Sequence, residues 1–63
     1  MTVPREKLIA ARKEMGLTQE QLAEKVGINR AYLANIENGK NTPSLEVAKN
    51  ISAALSLSIN DLF

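Results

Sequence analysis

The sequence predicts an all-α fold, five short helices packed as a single domain over residues 1–63. Three observations carry this expectation. Apolar residues recur at helical spacing, and no alternating β-branched run marks a strand. Glycines stand where the apolar blocks stop, at Gly16, Gly27 and Gly39. Residues with capping side chains, Thr18, Asn29, Ser44 and Ser58, stand where later blocks begin.

The first helix is expected over Pro4–Met15. Proline is tolerated in a first turn, where its missing N–H would have no partner anyway. Leu8, Ala11, Arg12 and Met15 share one face, and Gly16 stops the helix. The second helix starts at Thr18, which forms a capping-box pattern with Gln21. Its inner face is Leu22, Ala23 and Val26, and Gly27 ends it where a positive φ is needed. The third, Arg30–Asn38, is capped by Asn29 and turns Leu33 and Ile36 inward, with Ile28 just ahead and Gly39 closing it. After the loop Lys40–Pro43, Ser44 caps a fourth helix reaching about Leu55, with Leu45, Ala48, Ile51, Ser52 and Leu55 on one face. Ser58 caps a last turn, Ile59–Leu62, with Asp61 at its favourable third position. The expected core is Leu8, Met15, Leu22, Val26, Leu33, Ile36, Ile51 and Leu55, with Leu57 and Leu62 closing it.

Composition narrows the function classes. A chain of 63 residues is one domain at most, near the lower limit for folding unaided. Without cysteine or histidine it has neither a disulfide framework nor a usual zinc site, and no metal or cofactor is expected. No apolar run approaches the roughly 20 residues of a membrane span. Met1–Arg5 lacks the apolar stretch of a leader, so the expected compartment is cytoplasmic, without a membrane partner. There is no Gly-rich phosphate loop, and a core this small leaves no room for a substrate pocket, so neither an enzyme nor a small-molecule substrate is expected. Ser44 and Ser58 read as caps, because no histidine can serve them as a base. A net charge of +1 argues against a sequence-blind DNA coat protein but not against a sequence reader, where distribution matters more than the sum. Glu20, Glu24 and Glu46 are expected away from DNA, with Arg30 and Lys40 toward it.

The stretch Thr18–Asn41 is the most informative. Two short helices joined by a tight turn can set the second into the major groove of DNA. The crossing needs a small residue, supplied by Ala23; the turn needs Gly27; and Leu22, Val26, Ile28, Leu33 and Ile36 lock the angle. With LTQEQLAEKVGI at Leu17–Ile28, LANIENGK at Leu33–Lys40, Pro43–Leu45 and SLSINDLF at Ser56–Phe63, the chain resembles the DNA-binding domain of the Cro and phage-repressor (Xre) family of helix-turn-helix regulators over nearly its whole length. The resemblance implies a compact five-helix, lambda-repressor-like domain that binds double-stranded DNA as a homodimer and controls transcription.

It also implies roles for matching positions. Gln19, with Thr18 beside it at the helix start, matches a phosphate contact, where a helix N-terminus attracts anions. Arg30, Ala31, Ala34 and Asn35 match the base-reading face; Asn38, Lys40 and Asn41 match a phosphate-gripping segment; Arg12 and Glu37 match a buried ion pair. Ile59 matches a dimer contact, and Phe63 and Ala54 could extend that patch. Side-chain chemistry agrees: arginine fits guanine O6 and N7, asparagine fits adenine N6 and N7, and small residues let a helix sink into the groove. Tyr32 reads equally well as a phosphate contact or as cover for the second helix. The chain departs from the family pattern in having Ser56 where glycine is usual, small Ala48 and Ser52 in the fourth helix, and Arg30 as the one charge on the reading face, which shifts weight to DNA shape. The alternative reading is an antitoxin-type module that binds a toxin and regulates its own synthesis.

Overall fold

Local signals decide where each helix begins and ends. The computed structural model describes residues 3–63; Met1 and Thr2, and with them part of the Met1–Arg5 stretch, lie outside the described residues. The elements are α1 (Glu6–Glu14), α2 (Gln19–Val26), α3 (Arg30–Glu37), α4 (Leu45–Ala54) and α5 (Ile59–Leu62). No strand occurs among the described residues. No helix is long and apolar enough to cross a membrane among those residues.

Helix starts follow the caps. The Gln21 N–H donates to Thr18 Oγ1 at 3.1 Å and the Thr18 N–H to Gln21 Oε1 at 2.9 Å, closing the box at α2. Asn29 Oδ1 accepts from the Tyr32 N–H at 2.7 Å, and Ser44 Oγ from the Val47 N–H at 3.3 Å. Ser58 and Asp61 form a second box at α5. Each such cap stabilises a helix start by about 1 kcal/mol.

Helix ends share one closure. After α1, α2, α3 and α4 the chain makes the paired bonds of a Schellman motif. These are Leu17 N–H to Arg12 O (3.1 Å), Ile28 N–H to Ala23 O (3.0 Å), Lys40 N–H to Asn35 O (2.9 Å) and Leu57 N–H to Ser52 O (2.9 Å). A residue at positive φ sits inside each, glycine in the first three and Ser56, at φ 58°, in the fourth. At Gly27 the space around an added Cβ is open, so the φ of 77° alone demands glycine. Gly39 has a second reason, since a Cβ there would run into the Val3 carbonyl.

The core takes side chains from every helix: Leu8, Leu22, Ala23, Leu33, Ile36, Ile51 and Leu62, with Leu55 at the end of α4. Helix α2 packs against both α3 and α4, while α1 bears on α3 and α5. Ala23 is 2% exposed at this junction, as the close crossing requires. Burying each leucine or isoleucine stabilises by about 1.5–3 kcal/mol. Ala48 and Ser52 are buried despite their size, and Ser52 Oγ donates back to Ala48 O at 2.8 Å.

Five expectations are corrected. Helix α1 starts at Glu6, with Pro4 ahead of the N-cap Arg5, whose ψ of 82° is not helical; the Arg5 N–H, which a helix start leaves free, donates to Glu37 O at 2.7 Å. Met15 is half-exposed: it is the C-cap of α1, past the last turn that faces the core. Leu45 is exposed, since it opens α4 about 120° around the axis from Ile51. Leu57 does not close the core either; it follows the left-handed Ser56, which turns the chain outward. Val26 is a half-buried flank of the core rather than its centre.

Candidate nucleic-acid interface

The three residues Gly27–Asn29 join α2 to α3, and this brief turn fixes α3 against its neighbour. Leu33 and Ile36 bury completely on the inner side of α3. The opposite side carries Arg30 and Ala31, both exposed, and Ala34 and Asn35, both half-buried. All four base-reading candidates therefore share one face, and the small alanines keep it low.

Two flanks border this face. On one side the start of α2 opens a cleft lined by Lys13, Thr18, Gln19, Glu20 and Arg30 among others. Thr18 caps the Gln21 N–H, so the Gln19 and Glu20 N–H groups at the helix start stay open to an anion. On the other side Asn38, Lys40 and Asn41 are exposed in the segment after α3. Glu20, expected away from this surface, lines the cleft beside Arg30. Lys13 was not singled out from the sequence; its signal was its place in the last turn of α1, just before the chain turns into α2. Tyr32 packs half-buried against the core, which favours its covering role.

The interface stands on a buried polar chain. Arg12 Nε donates to Glu37 Oε2 at 2.7 Å and Arg12 Nη2 to Glu37 Oε1 at 3.3 Å, a bidentate pair. The two residues are 8% and 1% exposed, as the expected buried ion pair requires. Arg12 Nη1 donates to Leu17 O at 2.8 Å, and Gln19 Nε2 donates to Glu37 Oε1 at 3.0 Å. Gln19 Oε1 then accepts from Arg30 Nη1 at 3.4 Å. Charge and hydrogen bonding thus run unbroken from α1 through α3 and α2 to the exposed Arg30.

Arg5 is the second residue that local pattern did not reveal. Its Nη1 donates to Ile36 O at 2.8 Å and to Asn41 O at 3.3 Å, and its guanidinium lies 5.2 Å from the Phe63 ring centroid. It satisfies a carbonyl in the last turn of α3, steadies the segment after it and covers Phe63. Of the dimer candidates, Ala54 and Ile59 are half-buried and Phe63 is 38% exposed.

Comparison with known proteins gives this arrangement its family. The HTH_3 helix-turn-helix model matches residues 8–62. An HTH-type transcriptional regulator of Methanothermobacter thermautotrophicus is 49% identical over 53 residues, covering 82% of this chain and 77% of that protein. The immunity repressor protein of Bacillus phage phi105 is 42% identical over 55 residues, 87% of this chain but only 38% of the repressor. The Bacillus subtilis regulator SinR, in a crystal structure with DNA, superposes with a TM-score of 0.82 at 34% identity, covering 90% of this chain and 92% of that one. These relatives are regulators rather than enzymes. The chain belongs to the helix-turn-helix family of DNA-binding transcriptional regulators, of the Cro and phage-repressor (Xre) type.

Proposed function

We propose that this regulator is a repressor that binds an inverted-repeat operator as a homodimer, with α3 in the major groove. One observation carries the reading. The outer face of α3 presents Arg30, Ala31, Ala34 and Asn35 between two flanks suited to phosphate. In this reading Arg30 and Asn35 reach base edges, and Ala31 and Ala34 rest against thymine methyl groups. Thr18, Gln19 and the open α2 N–H groups take one phosphate strand, while Asn38, Lys40 and Asn41 take the other. Tyr32, if it touches DNA, does so at the backbone. The SinR complex with DNA and the phage immunity repressor support the reading by similarity. The proposed place of action is the cytoplasm, with the DNA.

Site selection with the purified protein tests it. Arg30→Ala or Asn35→Ala should weaken binding to the selected site by about 1–3 kcal/mol and relax one position of the sequence logo. Lys40→Ala should instead weaken binding to every sequence alike and flatten the salt dependence by roughly one unit of slope. An unchanged logo and affinity for Arg30→Ala would remove α3 as the reading helix.

A further inference from the structure

The segment after α3 is held from the far end of the chain. Asn38, Lys40 and Asn41 expose their side chains, yet their backbone is tied down. The Lys40 and Asn41 N–H groups both donate to Asn35 O, at 2.9 and 3.2 Å. The Asn41 carbonyl accepts from Arg5 Nη1 at 3.3 Å. The same nitrogen donates its other hydrogen to Ile36 O at 2.8 Å, and the Arg5 N–H donates to Glu37 O at 2.7 Å. Two carbonyls in the last turn of α3, where a helix leaves its acceptors open, therefore both meet Arg5. The Val3 carbonyl adds a second brace, lying against Gly39 so closely that a Cβ would not fit between them. Arg5 is itself anchored: it is half-buried, with its guanidinium 5.2 Å from the Phe63 ring centroid.

From this we infer that Arg5 is a positioning residue for the DNA backbone, holding the Asn38–Asn41 segment in the shape that grips phosphate. The inference rests on the proposed phosphate contact by that segment and goes beyond it. Two effects support the role. A segment ordered before DNA arrives does not lose its backbone freedom on binding, so the contact is stronger for the same groups. The C-terminal end of α3 also carries a partial negative charge, which repels a phosphate brought to Lys40 and Asn41, and the Arg5 guanidinium offsets it there. The Glu37 carboxylate is matched by Arg12, which leaves the Arg5 charge to act on the helix end. A clasp that only stabilises the fold would leave the affinity of folded protein unchanged. A positioning role makes Arg5 a determinant of affinity for every sequence, while Arg30 and Asn35 determine which sequence.

The two roles separate in titrations of the selected site and of a random-sequence duplex at several salt concentrations. Wild type, Arg5→Met, Lys40→Ala and the double variant are compared well below their thermal midpoints. Methionine keeps an apolar stem over Phe63 and removes the donating fork. The expected result is that Arg5→Met weakens binding to both duplexes by about fivefold to tenfold and flattens the salt slope by roughly one unit, with the sequence logo unchanged. The double variant should lose much less than the product of the two single losses, because a misplaced Lys40 has little contact left to remove. If folded Arg5→Met binds as wild type does while Lys40→Ala binds more weakly, the clasp serves the fold alone and the positioning role is wrong. If the two losses multiply in full, Arg5 acts apart from Lys40, through a phosphate of its own or through the Phe63 end, and the positioning role is wrong again. If Arg5→Met does not fold, Arg5→Lys decides on the same grounds: lysine keeps the charge without the planar fork that spans two carbonyls, and the same shortfall from the product is expected. If Lys40→Ala leaves affinity and salt slope unchanged, phosphate contact by the segment fails and the positioning role fails with it.

Discussion

Glu37 is the residue on which most of the interface depends, although it faces no solvent. It is 1% exposed and accepts two bonds from Arg12 and one from Gln19. No buried polar side-chain atom is left without a partner among the described residues. A paired, fully bonded charge can be kept at little net cost, whereas a stranded one cannot. Arg12→Ala or Glu37→Ala should therefore destabilise by about 3–5 kcal/mol, enough to unfold much of a domain this small. Arg12→Met combined with Glu37→Leu should cost far less, because no charge remains to be stranded. Urea unfolding of the three variants checks this, and equal losses in all three would show that packing, not charge, holds the site. The pair was legible in the sequence only through the family resemblance. The residues are 25 positions apart, and nothing in the local pattern of α1 or α3 joins them. Gln19 as the third member, and Arg5 with partners 31 and 36 positions away, were not legible at all.

At the level of elements, the sequence was easy to read wherever the determinant is local. Thr18 with Gln21, Asn29, Ser44, and Ser58 with Asp61 all cap where expected, because a cap needs only residues within one turn. The misplaced apolar residues show the limit. Met15, Leu45 and Leu57 fit a helical stripe or stand beside one, yet each lies at a helix end where the stripe has run past its neighbour. Periodicity gives a face, but only packing gives the length over which that face is covered. Pro4 falls outside for a different reason: Arg5, at φ −83° and ψ 82°, is the non-helical N-cap, and its free N–H donates across to Glu37 O. Ser56 is the exploitable element. The other three Schellman closures use glycine, and this one holds serine at φ 58°. The left-handed conformation costs a residue with a Cβ about 1–2 kcal/mol, and glycine gives back about 0.4–1 kcal/mol through the freer unfolded chain. Ser56→Gly should raise stability by about 0.5–1 kcal/mol, seen as a rise of a few degrees in the thermal midpoint. A fall in the midpoint would mean that the serine side chain offsets its own backbone strain.

The whole molecule is small for its task. Its principal extents are 28 × 23 × 22 Å, and the proposed reading face of α3 presents four side chains. One short helix reading a few base pairs discriminates too little alone, since each correct pair is worth only about 1–3 kcal/mol. A two-fold dimer doubles the contacts without enlarging the chain. Ala54, Ile59 and Phe63 supply a candidate contact near the C-terminus: Ile59 opens α5 half-buried, and Phe63 leaves ring surface exposed although Arg5 lies over it. We propose this end as the dimer interface, since contiguous exposed apolar surface is what a partner subunit would cover. Two domains of this size, paired through that end, can set their α3 helices about 34 Å apart, one turn of the duplex, which is why the proposed operator is an inverted repeat. Ile59→Glu should then shift the protein to monomer in sedimentation and lower operator affinity by about tenfold or more, while the thermal midpoint of the monomer stays close to that of wild type. Glutamate at position 59 also lies in the first turn of α5, where a negative charge suits the helix N-terminus, so the substitution tests the interface rather than the helix. Wild-type protein that sediments as a monomer at high concentration, with and without DNA, would overturn the dimer and with it the need for a two-fold operator.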